Sequence, residues 1–167
     1  MARFAFRLPL ALLLTGLSPA SLHGQASSVA LSLIGAGGTA KTLSFADLQA
    51  LPQIDVVVVN KDSSRTTFRG PTLRSLMTLV GAPAGHELRG PSMLLAVVAE
   101  AADSYRVAYM LAEIDEQFGV RQAIVAVTQD RAPLSATDGP LRIILAGEDH
   151  RARWIRQVVR LRLVPVI

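Results

Sequence analysis

Apolar positions along this chain fall in short runs cut by polar or glycine–proline turns, and their period changes from run to run. Val29-Ala30-Leu31-Ser32-Leu33 alternates, which predicts a strand ending in Gly35, Gly37 and Gly38. Thr42-Leu43 is extended, and Ser44 then starts a short helix. Asp47 stands at capping-box spacing from Ser44, Leu48 and Leu51 face inward, and Pro52 ends the element. Ile54 to Val59 is the strongest strand pattern. Its unbroken β-branched run, bounded by Pro52 and Asn60-Lys61-Asp62-Ser63-Ser64, predicts a central strand buried on both faces. Thr66-Thr67-Phe68 returns as a second strand. Gly70-Pro71 opens a helix with Leu73, Leu76, Met77 and Val80 on its buried face and Gly81 at its close.

Ala82 to Pro91 reads as a loop, Met93 to Ala99 as a buried strand, and Tyr105 to Tyr109 as a strand with partial alternation. Leu111 to Phe118 predicts a short helix whose acids, Glu113, Asp115 and Glu116, lie on a solvated face. Ile124 to Val127 is a strand, Gln129-Asp130-Arg131 a turn, and Pro133-Leu134 a short edge. Leu141 to Leu145 and Trp154 to Val164 complete the pattern, the last strand alternating Arg160 and Arg162 with Leu161 and Leu163. Many short strands with a few short helices, and no repeat or linker, predict an α+β fold in one domain.

The N-terminus reads differently. Arg3 and Arg7, the apolar run Leu8 to Leu17 and the small residues at Gly24-Gln25-Ala26 predict a signal peptide over residues 1–26, leaving a domain over 27–167. The run is short and broken by Pro9 and Gly16, so no transmembrane anchor is expected after cleavage. The two arginines are not adjacent, which points to general secretion rather than twin-arginine export, and to a periplasmic or secreted product. Removing Arg3 and Arg7 leaves 15 basic residues against 13 acids, a net charge of +2. With few aromatics, that balance argues against nucleic acid as a partner.

Several chemistries are excluded or disfavoured. Without cysteine there is no disulfide framework, thiolate nucleophile or cysteine-ligated metal. Gly35-Ala36-Gly37-Gly38 lacks dinucleotide-cradle spacing, no nucleophile elbow occurs, and the histidines are only His23, His86 and His150. Glu148, Asp149 and His150 are consecutive on a turn and do not make a convergent ligand set. What stands out is basic charge: six of the fifteen arginines fall between Arg142 and Arg162. If the fold gathers Tyr105, Arg142, His150, Arg151, Arg153 and Trp154 round one cleft, guanidinium forks there would hold a phosphate or carboxylate. The packing alternative is that Arg153 and Arg156 solvate a strand edge and Trp154 is core.

The same stretch carries a resemblance. Gly139, Pro140, Arg142, Gly147, Arg153 and Trp154, in this order and spacing, resemble the close of the sulfite-oxidase-type molybdopterin-binding domain. Leu43 to Pro52 and Phe68-Arg69-Gly70 with Leu73 and Leu76 are similar to other parts of that family, so the resemblance runs from about Leu43 to Val164. It implies a mixed β-sheet domain with short helices. It also implies that the basic final loop, with Arg153-Trp154, helps hold a pterin pyrophosphate. The family usually has Asp-Gly-Tyr where this chain has Asp103-Ser104-Tyr105. Catalytic members end a strand with a molybdenum-binding cysteine, and at the matching place this chain has Val59-Asn60. Molybdenum ligation by cysteine is therefore excluded, while molybdopterin stays a candidate cofactor by resemblance and Asn60 joins the candidate site. In that family the cofactor is inserted before export, which a general secretion route does not suit. The expectation is an exported, non-catalytic homologue that binds an anionic small molecule or an exported protein partner. The alternative is a molybdopterin-dependent oxidoreductase subunit that holds the cofactor without cysteine, so enzymatic activity stays open.

Overall fold

A computed structural model of the chain describes residues 30–119, 122–148 and 151–167. The expected signal peptide, and Asp149 and His150 of the basic turn, lie outside the described residues. In chain order the elements are β1 (Ala30–Ile34), β2 (Ala40–Ser44), α1 (Phe45–Ala50), β3 (Ile54–Val59), β4 (Arg65–Gly70), α2 (Leu73–Thr78) and β5 (Leu95–Ala101). Then come β6 (Arg106–Met110), β7 (Ala123–Ala126), β8 (Thr128–Gln129), β9 (Ala132–Pro133), β10 (Arg142–Leu145) and β11 (Val158–Pro165). Short 3₁₀ turns fill several connections. The fold is α+β and mostly sheet.

Five strands form one mixed sheet in the order β2-β1-β11-β5-β6, antiparallel except where β1 and β11 run parallel. Leu31 and Leu33 of β1, Val97 and Ala99 of β5, Tyr109 of β6 and Leu161 and Leu163 of β11 face one side and are buried. The opposite side of β11 carries Arg160 and Arg162, as the alternation predicts. Leu73, Leu76 and Met77 of α2 are buried in the same core. Ser44 caps α1 with a reciprocal capping box to Asp47. Leu48 of that helix is buried and Leu51 partly so.

The centre belongs to β7 and β10, an antiparallel pair. Every residue of β7 is buried, as are Ile143, Ile144 and Leu145 of β10. These are the strands whose apolar runs reflect burial on both faces. The Ile54–Val59 run is not one of them. β3 is the edge of the four-stranded antiparallel sheet β3-β4-β8-β9, and only Val56 is fully buried. Val57 is 56% and Val59 63% exposed. The predicted central strand is thus corrected to an edge strand, because β-branching favours any pleated backbone and does not by itself say which faces are covered.

Two backbone junctions lock the sheets together. Val127 donates to the carbonyl of Arg69 at 2.9 Å and Val125 to that of Pro71 at 2.9 Å, so the end of β4 lies on β7. Gly70 makes this possible, since a Cβ there would sit 2.0 Å from the Val125 carbonyl oxygen. On the other side of the pair, Ile143 donates to Ile155 at 2.9 Å and Val158 to Leu141 at 3.0 Å. The loop between β10 and β11 is therefore fastened back onto β10 at its return.

A second correction concerns Leu111 to Phe118. Only Leu111–Ile114 forms a helical turn, of 3₁₀ type, and Asp115 is 2% exposed rather than solvated. Its carboxylate accepts from Arg74 Nε at 2.7 Å, the Gly85 amide at 3.0 Å and the Gln117 amide at 2.9 Å. Three donors replace the water it loses, as a buried carboxylate requires.

Candidate anion-binding site

The basic turn begins where β10 ends. Gly147 takes a φ of +70, and residues Arg151–Arg153 form a single 3₁₀ turn, with Trp154 donating to the Arg151 carbonyl at 3.0 Å. In a 3₁₀ turn side chains three apart eclipse. Arg151 and Trp154 accordingly stack, the guanidinium carbon 5.0 Å from the indole centre, while Arg153 points elsewhere. Ile155 and Val158 then pair with β10, so Arg156, two residues past Trp154, returns to the same side.

Trp154, Arg142, Arg151, Arg156, Tyr105 and Asp103 are among the residues lining a cleft of about 670 Å³. Trp154 forms its floor, 5% exposed and edge-on to Phe68 at 6.3 Å. The Arg142 guanidinium lies 5.9 Å from both rings. The Tyr105 hydroxyl donates to the Ala152 carbonyl at 3.0 Å, tying the β5–β6 turn to the basic turn. Asp138 holds Arg142 at 2.9 Å and reaches Arg156 at 3.7 Å. Arg151 has no carboxylate partner among the described residues.

Burial depresses the pKa of Arg142. Asp138 opposes that shift, and the like charges of Arg156 and Arg151 add to it. An anion entering between these groups would relieve both desolvation and mutual repulsion. Arg142 Nε and Trp154 Nε1 are buried donors without an acceptor among the described residues, and oxygen-rich ligands supply acceptors.

A second cleft, of about 930 Å³, lies across Arg151 and Ala152, which form a rib between the two. Its charged lining is Lys61, Asp62, Glu148 and Arg151. That lining is balanced, so its size does not make it the better anion site. Three arginines against one carboxylate, Asp103, favour the smaller cleft. Asn60 sits in the larger one, accepting from Arg151 at 2.8 Å and donating to Ser64 Oγ at 2.9 Å and Thr66 Oγ1 at 3.0 Å. Its amide staples the β3–β4 turn to the basic turn.

Of the residues selected from sequence, Tyr105, Arg142, Arg151 and Trp154 come together at one cleft. Asn60 touches the other face of Arg151, and His150 lies outside the described residues. Arg153 lines neither cleft. It pairs with Glu113 at 2.7 Å, lies 5.0 Å over the Tyr109 ring, and accepts the Tyr109 hydroxyl on its carbonyl. Burial raises the Tyr109 pKa, so this phenol stays a neutral donor.

Sequence reasoning read Arg156 only as a cation solvating a strand edge, though it shares a side with Trp154 at strand spacing, and it gave no role to Asp138, which stands four before Arg142. Both spacings were readable signals. Among the described residues no cluster of histidines and acids could hold a metal ion, and no helix is long and apolar enough to cross a membrane. No family model matches the chain, and no curated protein matches it in sequence.

Proposed function

We propose that this chain is an exported homologue of the sulfite-oxidase-type molybdopterin-binding domain that binds an anionic small molecule and carries out no molybdenum chemistry. The observation that supports binding is the convergence of Arg142, Arg151 and Arg156 on one cleft over Trp154, with one carboxylate in its lining. Phosphate or carboxylate suits such a cleft, because planar guanidinium forks bind either in bidentate fashion.

The residues fit a metal-bound cofactor poorly. The chain has no cysteine, and the amide of Asn60 is already committed to Arg151, Ser64 and Thr66. A pyrophosphate fits the arginine cleft better than molybdenum fits the strand end, so no redox step is assigned.

Titration calorimetry with inorganic pyrophosphate at low salt tests the reading. Binding is expected, weakening as ionic strength rises and falling about tenfold in Arg151→Ala, the loss of roughly one charge-assisted contact. Production in a cytoplasm that makes molybdenum cofactor, followed by pterin fluorescence and elemental analysis, separates the alternatives. Pterin without molybdenum would name the ligand, and stoichiometric molybdenum would revive the oxidoreductase alternative. No binding of pyrophosphate, phosphate or pterin would refute the anion site.

A further inference from the structure

The outer edge of β3 has a regular pattern of its own. In the β3–β4 hairpin Asn60 donates to Ser64 at 2.8 Å, and the pairing continues as Val58 with Thr66, Val56 with Phe68 and Ile54 with Gly70. Antiparallel ladders alternate hydrogen-bonded with non-hydrogen-bonded pairs. The backbone groups of Asp55, Val57 and Val59 therefore point away from β4. No hydrogen bond reaches them among the described residues. Their side chains are exposed, with Val57 and Val59 forming an apolar strip. Such an edge, without proline or bulge, is a template for another strand.

Charge chooses the occupant. Along the exposed face the order is Asp55, Val57 and Val59, with Lys61 in the turn just beyond the strand, so acid stands at one end and base at the other. Asp55 gives one carboxylate oxygen to Arg69 at 3.0 Å, a half-exposed surface pair that contributes little, and keeps the other oxygen for a second cation. Lys61 is exposed and in no ion pair among the described residues. A copy laid parallel would set like charge beside like. A copy laid antiparallel about Val57 pairs Asp55 with Val59 of the second copy and Val57 with Val57 of the second copy. All six outward backbone groups of each edge then find partners. Asp55 becomes a diagonal neighbour of Lys61 of the second copy, within reach of a long side chain. The surface is complementary to itself, as a two-fold interface must be.

We propose that two copies of this chain pair through β3, antiparallel about a two-fold axis at Val57, joining their four-stranded sheets into one. This inference is independent of the anion cleft.

Because the chain lacks cysteine, an introduced thiol is unique. Directly opposed residues in a hydrogen-bonded pair have Cα atoms about 5.5 Å apart, within disulfide range. Val57→Cys is expected to form a disulfide-linked dimer under mild oxidation. Val59→Cys alone should not, since the two sites stand on the order of 13 Å apart along the strands. A mixture of Asp55→Cys and Val59→Cys should cross-link one to the other. By sedimentation equilibrium the unmodified full chain should double in mass with concentration. Val57→Lys, a change at an exposed site that sets like charges face to face, should raise the dimer dissociation constant at least about tenfold. A chain that sediments as a monomer at all concentrations overturns the proposal. So does a dimer indifferent to Val57→Lys, or self-linking of Val59→Cys as readily as of Val57→Cys.

Discussion

Replacing Asp115 by asparagine removes a charge with almost no change in shape, at a site whose three donors are known. One carboxylate oxygen accepts from Arg74 and Gly85, and the other from Gln117. An asparagine can serve one side only; on the other its amide nitrogen would face an N–H group. The loss is that of a buried, charge-assisted network with one partner removed, worth several kcal/mol. Arg74 is 31% exposed and can turn to water, which moderates the cost to about 3 kcal/mol. For a chain of this size that lowers the midpoint of thermal unfolding by about 10 °C. Acid dependence gives a second readout. Burial works to raise the Asp115 pKa, but the Gly85 amide, the Arg74 guanidinium and the Gln117 amide together hold it below the ordinary 3.8. A group depressed on folding stabilises fully above its unfolded pKa and loses that contribution as pH falls through the folded value. The gap between native and Asp115→Asn stability should thus be full at neutral pH and shrink below 3.8. Urea unfolding followed by circular dichroism at both pH values measures it. A gap under about 1 kcal/mol at neutral pH, or one unchanged near pH 3, would refute the network's assigned role.

Arg153→Ala should cost about 1 kcal/mol of stability through the Glu113 pair and the Tyr109 contact, yet leave pyrophosphate affinity within about twofold; a tenfold loss in calorimetry would put Arg153 in the site. Gly70→Ala drives a methyl into the Val125 carbonyl, and should destabilise by about 3 kcal/mol or more in urea unfolding. Ser104 holds a φ of +69, so Ser104→Gly should stabilise by about 0.5 kcal/mol, seen as a higher thermal midpoint.

The parts of the fold legible from sequence are those fixed by local chemistry. Ser44 and Asp47 specify their capping box within four residues, and Leu161 and Leu163 announce which side of β11 is buried by period alone. The turn at Ser104 shows the limit of composition. Its serine occupies the left-handed conformation that glycine takes at least cost, so the residue type does not announce the backbone shape. The errors fell where an outcome depends on what packs across the chain. Nothing in Ile54–Val59 says that β7 and β10, not β3, take the centre, because that follows from β4 docking on β7 through Gly70. Asp115 looked solvated beside Glu113 and Glu116, and its burial depends on Arg74 and Gly85, far away in sequence.

The same reasoning explains why only part of the arginine cluster forms a site. Sequence density reports how many cations share a loop, but not which are neutralised. Glu113, forty positions before Arg153, consumes that guanidinium, and the 3₁₀ turn aims Arg151 the opposite way, onto Trp154. Asp138 answers Arg142 and Arg156 together, leaving the cleft with more positive than negative charge. The backbone bonds of Ile143 and Val158 hold this division in place from both ends of the return. An arginine moved by one residue along the turn would therefore exchange roles with its neighbour, so the position of each cation, more than their number, decides where an anion can bind.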